Sequence, residues 1–251
     1  MKGGNRLFNF SFDNRMLYIL LAILALFSIA SMGVNGILSL LLTLPGVLVA
    51  ITFHEFAHAF AADKLGDDTP RMQGRLNLNP LSHLDPIGFF MLLFVHIGWG
   101  KPVQINPRNF DRKISMSAGE AIVSFAGPLM NFILAIVFTI IYFFIGRFAP
   151  LFYFSSDIGN IVYLLLINTI YVNIGLGVFN LIPLPPLDGS KIFMHFLPYK
   201  AKNWIMEHAQ IFYIVFLALW ITGLAGVIVS PVIEAIADGV FWVISKIFGF
   251  I

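Results

Sequence analysis

The chain has 251 residues, of which 59% are hydrophobic and only 11% charged, with a mean hydropathy of +0.88. Soluble domains carry about a quarter charged residues, so this balance excludes a soluble enzyme and points to a polytopic membrane protein. The net charge of +2 gives no reason to expect a nucleic-acid partner, and the absence of cysteine removes disulfides and thiolate ligands together. The length leaves room for several spans but not for a second folded domain of ordinary size, so residues 1–251 read as one membrane-embedded domain.

The first fifteen residues are polar and mildly basic, and the apolar stretch after them lacks a convincing small-residue cleavage site. Residues 16–32 are therefore expected to form a retained first span and not a signal peptide. Apolar runs with at most one charged residue at 36–62, 116–146, 158–182 and 209–229 are expected to cross as well, while a shorter segment at 232–250 is left open. The fold class that follows is all-α, a polytopic transmembrane helix bundle of five to six spans. Pro45 is expected to kink the second of these.

The 63–115 segment does not read as a plain loop. Its apolar run Ile87–Trp99 is too short to span and suits a re-entrant or interfacial element. The stretch Gly98-Trp99-Gly100-Lys101-Pro102-Val103-Gln104-Ile105 then suggests a short bent β-hairpin, from its glycines, its proline and its alternating apolar positions. Lys and Arg set the orientation. All 15 of them except Arg147 and Lys246 fall in residues 1–15, 63–115 or 183–204, segments that these spans place on one side. The positive-inside rule makes that side, and the N-terminus, cytoplasmic.

Within the almost uncharged stretch from Gly33 to Ala62 lies His54-Glu55-Phe56-Ala57-His58. On a helix, His54 and His58 share one face and suit a single metal ion, with Glu55 beside them as a candidate general base. Ionisable groups in a bilayer are costly and mark functional sites, so coincidence is a poor account of this motif. His54 lies about 27 Å along the helix from Gly36 at 1.5 Å per residue, in the cytoplasmic half of a core about 30 Å thick.

Two histidines do not complete a hydrolytic zinc site, which usually has three protein ligands and an open position. The missing His, Asp or Glu must come from another span at the same depth, and Asp188 is the candidate. Pro183, Pro185 and Pro186 must break the fourth helix and are expected to leave Leu187-Asp188-Gly189 as irregular backbone lining a cavity.

His54-Glu55-Phe56-Ala57-His58 together with Asn180-Leu181-Ile182-Pro183-Leu184-Pro185-Pro186-Leu187-Asp188-Gly189 resembles the site-2 protease family of intramembrane zinc metalloproteases. Gly74–Gly88, Gly98–Val103 and Asn106-Pro107-Arg108 are similar to its compact branch, which carries neither a PDZ nor a CBS domain. The resemblance covers roughly residues 36–200. It implies one zinc ion per chain held by His54, His58 and Asp188, with Glu55 as catalytic acid/base. Gly127-Pro128-Leu129-Met130-Asn131 resembles the family's Gly-x-x-x-Asn element, which implies that Asn131 reaches the site, where its N–H could support an oxyanion.

The implied substrate is the transmembrane segment of another membrane protein, unwound so that water reaches its peptide bonds. It is expected to extend against Trp99, Gly100, Lys101, Pro102 and Val103 by strand addition. The lipid bilayer is the other expected partner, a prokaryotic cell membrane the expected location, and homo-oligomerisation is left open. His83 is a candidate for the cytoplasmic entrance, whereas His96, His195 and His208 are expected to be packed or interfacial. Two other classes fit parts of the pattern: a divalent-metal transporter and an inactive, substrate-binding relative. Glu55 beside the ligands favours hydrolysis over both.

Overall fold

The computed structural model describes residues 14–95 and 100–250, so Trp99 and His96 lie outside the described residues. The first helix, α1, runs Asn14–Lys64 and is interrupted at Gly33, with φ 62, while Pro45 lies inside it. Four helical stretches are long and apolar enough to cross a membrane: Ala30–Lys64 of α1, then Met116–Phe148, Asp157–Asn180 and Leu224–Ile247. The pair Tyr199–Glu207 and Ala209–Ile221, bent by 66°, makes a fifth if it counts as one broken span. The expected spans at 36–62 and 116–146 fall within the first two, and the one at 158–182 overruns the third by two residues.

The C-terminal boundary differs from expectation. The break falls at Gly223 and not near Pro231, because Gly223 takes the left-handed conformation, φ 74, that ends a helix at no steric cost. Pro231 instead sits inside the last helix.

Between α1 and the next span, the chain forms three short helices, α2 (Thr69–Met72), α3 (Pro80–His83) and α4 (Pro86–Val95), and a 3-10 turn at Pro107–Asn109. Each of α2, α3 and the turn has proline in its first positions, where its missing N–H is not needed. No strand occurs among the described residues. Residues 101–106 have no regular secondary structure, and beside them one antiparallel bridge joins Leu84 and Gly100 where the hairpin is expected.

The remaining helices are α5 (Met116–Phe148), α6 (Pro150–Ser155), α7 (Asp157–Asn180), α8 (Asp188–His195), α9 (Tyr199–Glu207), α10 (Ala209–Ile221) and α11 (Leu224–Ile247). Helices α1, α5 and α7 pack against one another, and α11 packs on α5 and α7. Ala135, Ile170, Ile174, Val178, Val229 and Ala237 form the buried cluster among α5, α7 and α11. On the opposite face of α5, Ile122, Phe125, Leu129, Ile133, Ile136 and Ile140 are exposed at helical spacing, as a lipid-facing stripe requires. Lipid is as apolar as these side chains, so close packing and interhelical polar contacts must join the helices. The polar contacts converge on the site.

Candidate metal centre

His54 and His58 stand one turn apart on α1, and both are buried. Their rings meet edge to face with centroids 4.6 Å apart. Asp188 approaches from the other side of the bundle, after α7 has ended and residues 181–187 have left helical geometry. Here the structure corrects the expectation of irregular backbone at Asp188, because this residue opens α8 and only the proline segment before it is irregular. A carboxylate in a first helical turn also meets the positive end of the helix dipole.

The three groups converge closely. Asp188 Oδ2 lies 3.1 Å from His54 Nε2 and 3.1 Å from His58 Nε2, and the two Nε2 atoms are 3.0 Å apart. One ligand atom from each residue lies within 4.8 Å of the others.

The opposite edges of the rings fix their tautomers. His54 Nδ1 donates to Asn131 Oδ1 at 2.6 Å, and His58 Nδ1 donates to the Val123 carbonyl at 2.7 Å. With both Nδ1 atoms protonated, each neutral ring turns an Nε2 lone pair inward, which is how a metal-ligating histidine is held. Two nitrogen lone pairs and a carboxylate oxygen facing one point repel one another unless a cation sits between them. The donor set of two imidazoles and a carboxylate therefore fits zinc.

Space is reserved by Gly127 on α5. A Cβ there would lie 2.4 Å from His58 Nε2 and 2.7 Å from His54 Cε1, inside the rings' contact distance. The Gly127–Asn131 element thus serves both histidines, with glycine making room and asparagine holding His54.

Asn131 differs from expectation in the direction it faces. Its Nδ2 donates to the Ala50 carbonyl and to Asn173 Oδ1, each at 3.1 Å, so both amide protons are engaged within the protein and neither faces an oxyanion. Asn173, which the sequence reading did not single out, is fully buried and donates to the Thr169 carbonyl at 2.8 Å. A chain of amides from α7 through α5 to His54 therefore ties three helices together at one candidate ligand.

Glu55 points to the stretch that begins at Gly100. Its Oε2 accepts the Val103 N–H at 3.1 Å. Lys101 donates its N–H to the His83 carbonyl at 2.8 Å, while its own carbonyl and that of Pro102 accept from Arg75. The strand addition expected for Gly100, Lys101, Pro102 and Val103 thus meets an obstacle, because these main-chain groups are already paired and proline has no N–H.

Of the other histidines, His83 is fully buried with Nε2 on the Asn77 carbonyl at 2.7 Å, which does not suit an entrance residue. His195 meets Ser117, and His208 stacks on Trp204.

Comparison with known proteins points to zinc metalloproteases. A family model described as Peptidase family M50 matches residues 154–223. YwhC of Bacillus subtilis, provisionally named a zinc metalloprotease, is 37% identical over 204 residues, or 80% of this chain and 90% of its own length. Rip2 of Mycolicibacterium smegmatis, provisionally named in the same way, is 35% identical over 39% of this chain and 38% of its own length. Rip2 of Mycobacterium tuberculosis is 28% identical over 59% of this chain and 54% of its own length. No solved structure matches the chain. The chain therefore belongs to peptidase family M50, the site-2 protease family, and is a zinc metalloendopeptidase with membrane-crossing helices.

Proposed function

We propose that this protein cleaves peptide bonds within or near the transmembrane segments of other membrane proteins, at a zinc ion held by His54, His58 and Asp188. One observation carries the reading: the three ligand atoms converge on one point beside a helix apolar enough to cross a membrane. A zinc ion there supplies Lewis acidity, lowering the pKa of a water molecule towards about 7. Glu55, next to His54 in sequence, accepts the proton of the attacking water and passes it to the leaving nitrogen. Asn131, through His54, keeps one ligand oriented.

A transmembrane substrate enters as helix, and its main chain must unwind before attack. The substrate passes beside residues 99–103, with main-chain pairing left to positions beyond Val103, since those at 101–103 are engaged within the protein.

The ends of α1 and α7 bring the basic 63–115 and 183–204 segments to one side, which supports a cytoplasmic site and a cytoplasmic N-terminus. Because the chain has no cysteine, a single cysteine at Asp111 reports on this directly. It should react with an impermeant maleimide in inverted vesicles and not in intact cells, and the reverse pattern contradicts the orientation.

The function is tested with purified full-length protein in liposomes and a tagged single-span membrane protein as substrate. Glu55→Gln should lower cleavage by about 10²–10⁴-fold, the usual contribution of an acid/base group. Cleavage at the wild-type rate in Glu55→Gln or in chelator would contradict it.

A further inference from the structure

Arg75 is buried, and no carboxylate lies within ion-pair distance of it among the described residues. A buried guanidinium is costly unless its donors are satisfied, and here main-chain carbonyls satisfy them. It makes a close hydrogen bond to the Ser82 carbonyl and donates to the carbonyls of Lys101 at 3.0 Å and Pro102 at 3.1 Å. Its own N–H is fixed on the Pro70 carbonyl at 2.9 Å. A planar fork whose two terminal nitrogens both donate to carbonyls, from two segments, is a clamp, and lysine, a point donor on a flexible stem, is a poor substitute.

The clamp has a second side. His83, at the end of α3, accepts the Lys101 N–H, and Leu84 bridges to Gly100. At Gly100 a Cβ would stand 3.0 Å from Ile51 Cγ2, 3.2 Å from Glu55 Oε1 and 3.2 Å from the His83 carbonyl, so the stretch is wedged between α1 and α3. The first main-chain donor beyond the clamped carbonyls is the Val103 N–H, which meets Glu55 Oε2. A glutamate carboxylate turns about a broad terminal torsion and has no preferred orientation of its own.

We propose that Arg75 is a positioning residue for Glu55: by gripping the carbonyls of Lys101 and Pro102 it aims the Val103 N–H at one carboxylate oxygen and leaves the other turned for proton transfer. This rests on the reading of Glu55 as the acid/base. The stretch after residue 99 then acts on the catalytic group itself, not only as a border for the substrate.

The test measures kcat and KM for the tagged single-span substrate in liposomes, with zinc content and thermal unfolding alongside. Arg75→Gln and Val103→Pro should each lower kcat by about 10²-fold, the scale of a misplaced catalytic group, with KM changed less than roughly threefold. Arg75→Lys should recover part of the lost kcat, and Val103→Ala, which keeps the N–H, should lower kcat far less than Val103→Pro. Zinc content should be unchanged throughout. The proposal is overturned if both main variants keep wild-type kcat, or if KM rises with kcat unchanged. It is also overturned if Arg75→Gln loses zinc or fold while Val103→Pro cleaves normally. Glu55→Gln, measured in parallel, separates the two levels: if it is inactive while both main variants cleave normally, only the positioning role fails, whereas an active Glu55→Gln removes the acid/base reading itself.

Discussion

His54 and Asn131, 77 positions apart in sequence, meet at 2.6 Å between Nδ1 and Oδ1 in the buried interface of α1 and α5. Asn131 offers its oxygen to the ring because its amide protons are committed to Ala50 and Asn173, so the histidine must present its N–H there and its lone pair to the metal point. Partners of this kind typically contribute 10–100-fold to metal affinity. Asn131→Leu, similar in volume but without the acceptor, should weaken zinc binding by about that factor in a chelator competition assay. Unchanged affinity would show that the contact does not tune the ligand.

Gly127 gives a steric version of the same dependence. Gly127→Ala places a methyl group where the two imidazoles already stand, at 2.4 Å from His58 Nε2. One ring must then leave its place, and neither can do so without losing its Nδ1 partner. The variant should purify with well under one zinc per chain and lose cleavage. A zinc content equal to wild type would mean that α5 shifts enough to absorb the methyl group.

Away from the membrane, Asp67 organises the loop that carries the clamp. Burial works against its charge, but donors from Thr69, the Asn106 main chain and Asn109 prevail and hold its carboxyl below the usual carboxylate range. A group with a lowered folded pKa adds stability above its unfolded value, about 3.9, and that contribution is lost as pH falls through the folded value. The thermal midpoint in detergent should therefore drop as pH is lowered below about 4, and Asp67→Asn should flatten this part of the profile while lowering the midpoint at neutral pH. Identical acid limbs in the two proteins would count against it.

Much of the centre was legible because its parts are local. His54 and His58 needed only helical spacing, and Asp188 needed only a proline break at the end of a span. The C-terminal spans were less legible, because Pro231 is a conspicuous helix breaker while Gly223, which takes the left-handed turn, lies in an ordinary Thr-Gly-Leu context. Asn173 and Arg75 could not be assigned at all. Asn173 carries the general signal of a polar residue in a membrane helix, but only packing shows that it faces Asn131. Arg75 reads in sequence as one more basic loop residue of the cytoplasmic side. Its burial against carbonyls depends on how α3 and the 100–103 stretch fold together, and no periodicity records that. The expected hairpin was hard to read for the same reason: among the described residues its Val103 and Lys101 donors pair with Glu55 and His83.

Zinc stoichiometry in ligand variants tests the central claim most directly. Purified wild-type protein should hold one zinc per chain by elemental analysis, and His54→Ala, His58→Ala and Asp188→Ala should each hold almost none while keeping the helical circular dichroism of the wild type. Full zinc occupancy in the Asp188→Ala protein would show that the carboxylate from the proline-broken segment is not a ligand, and would contradict the account.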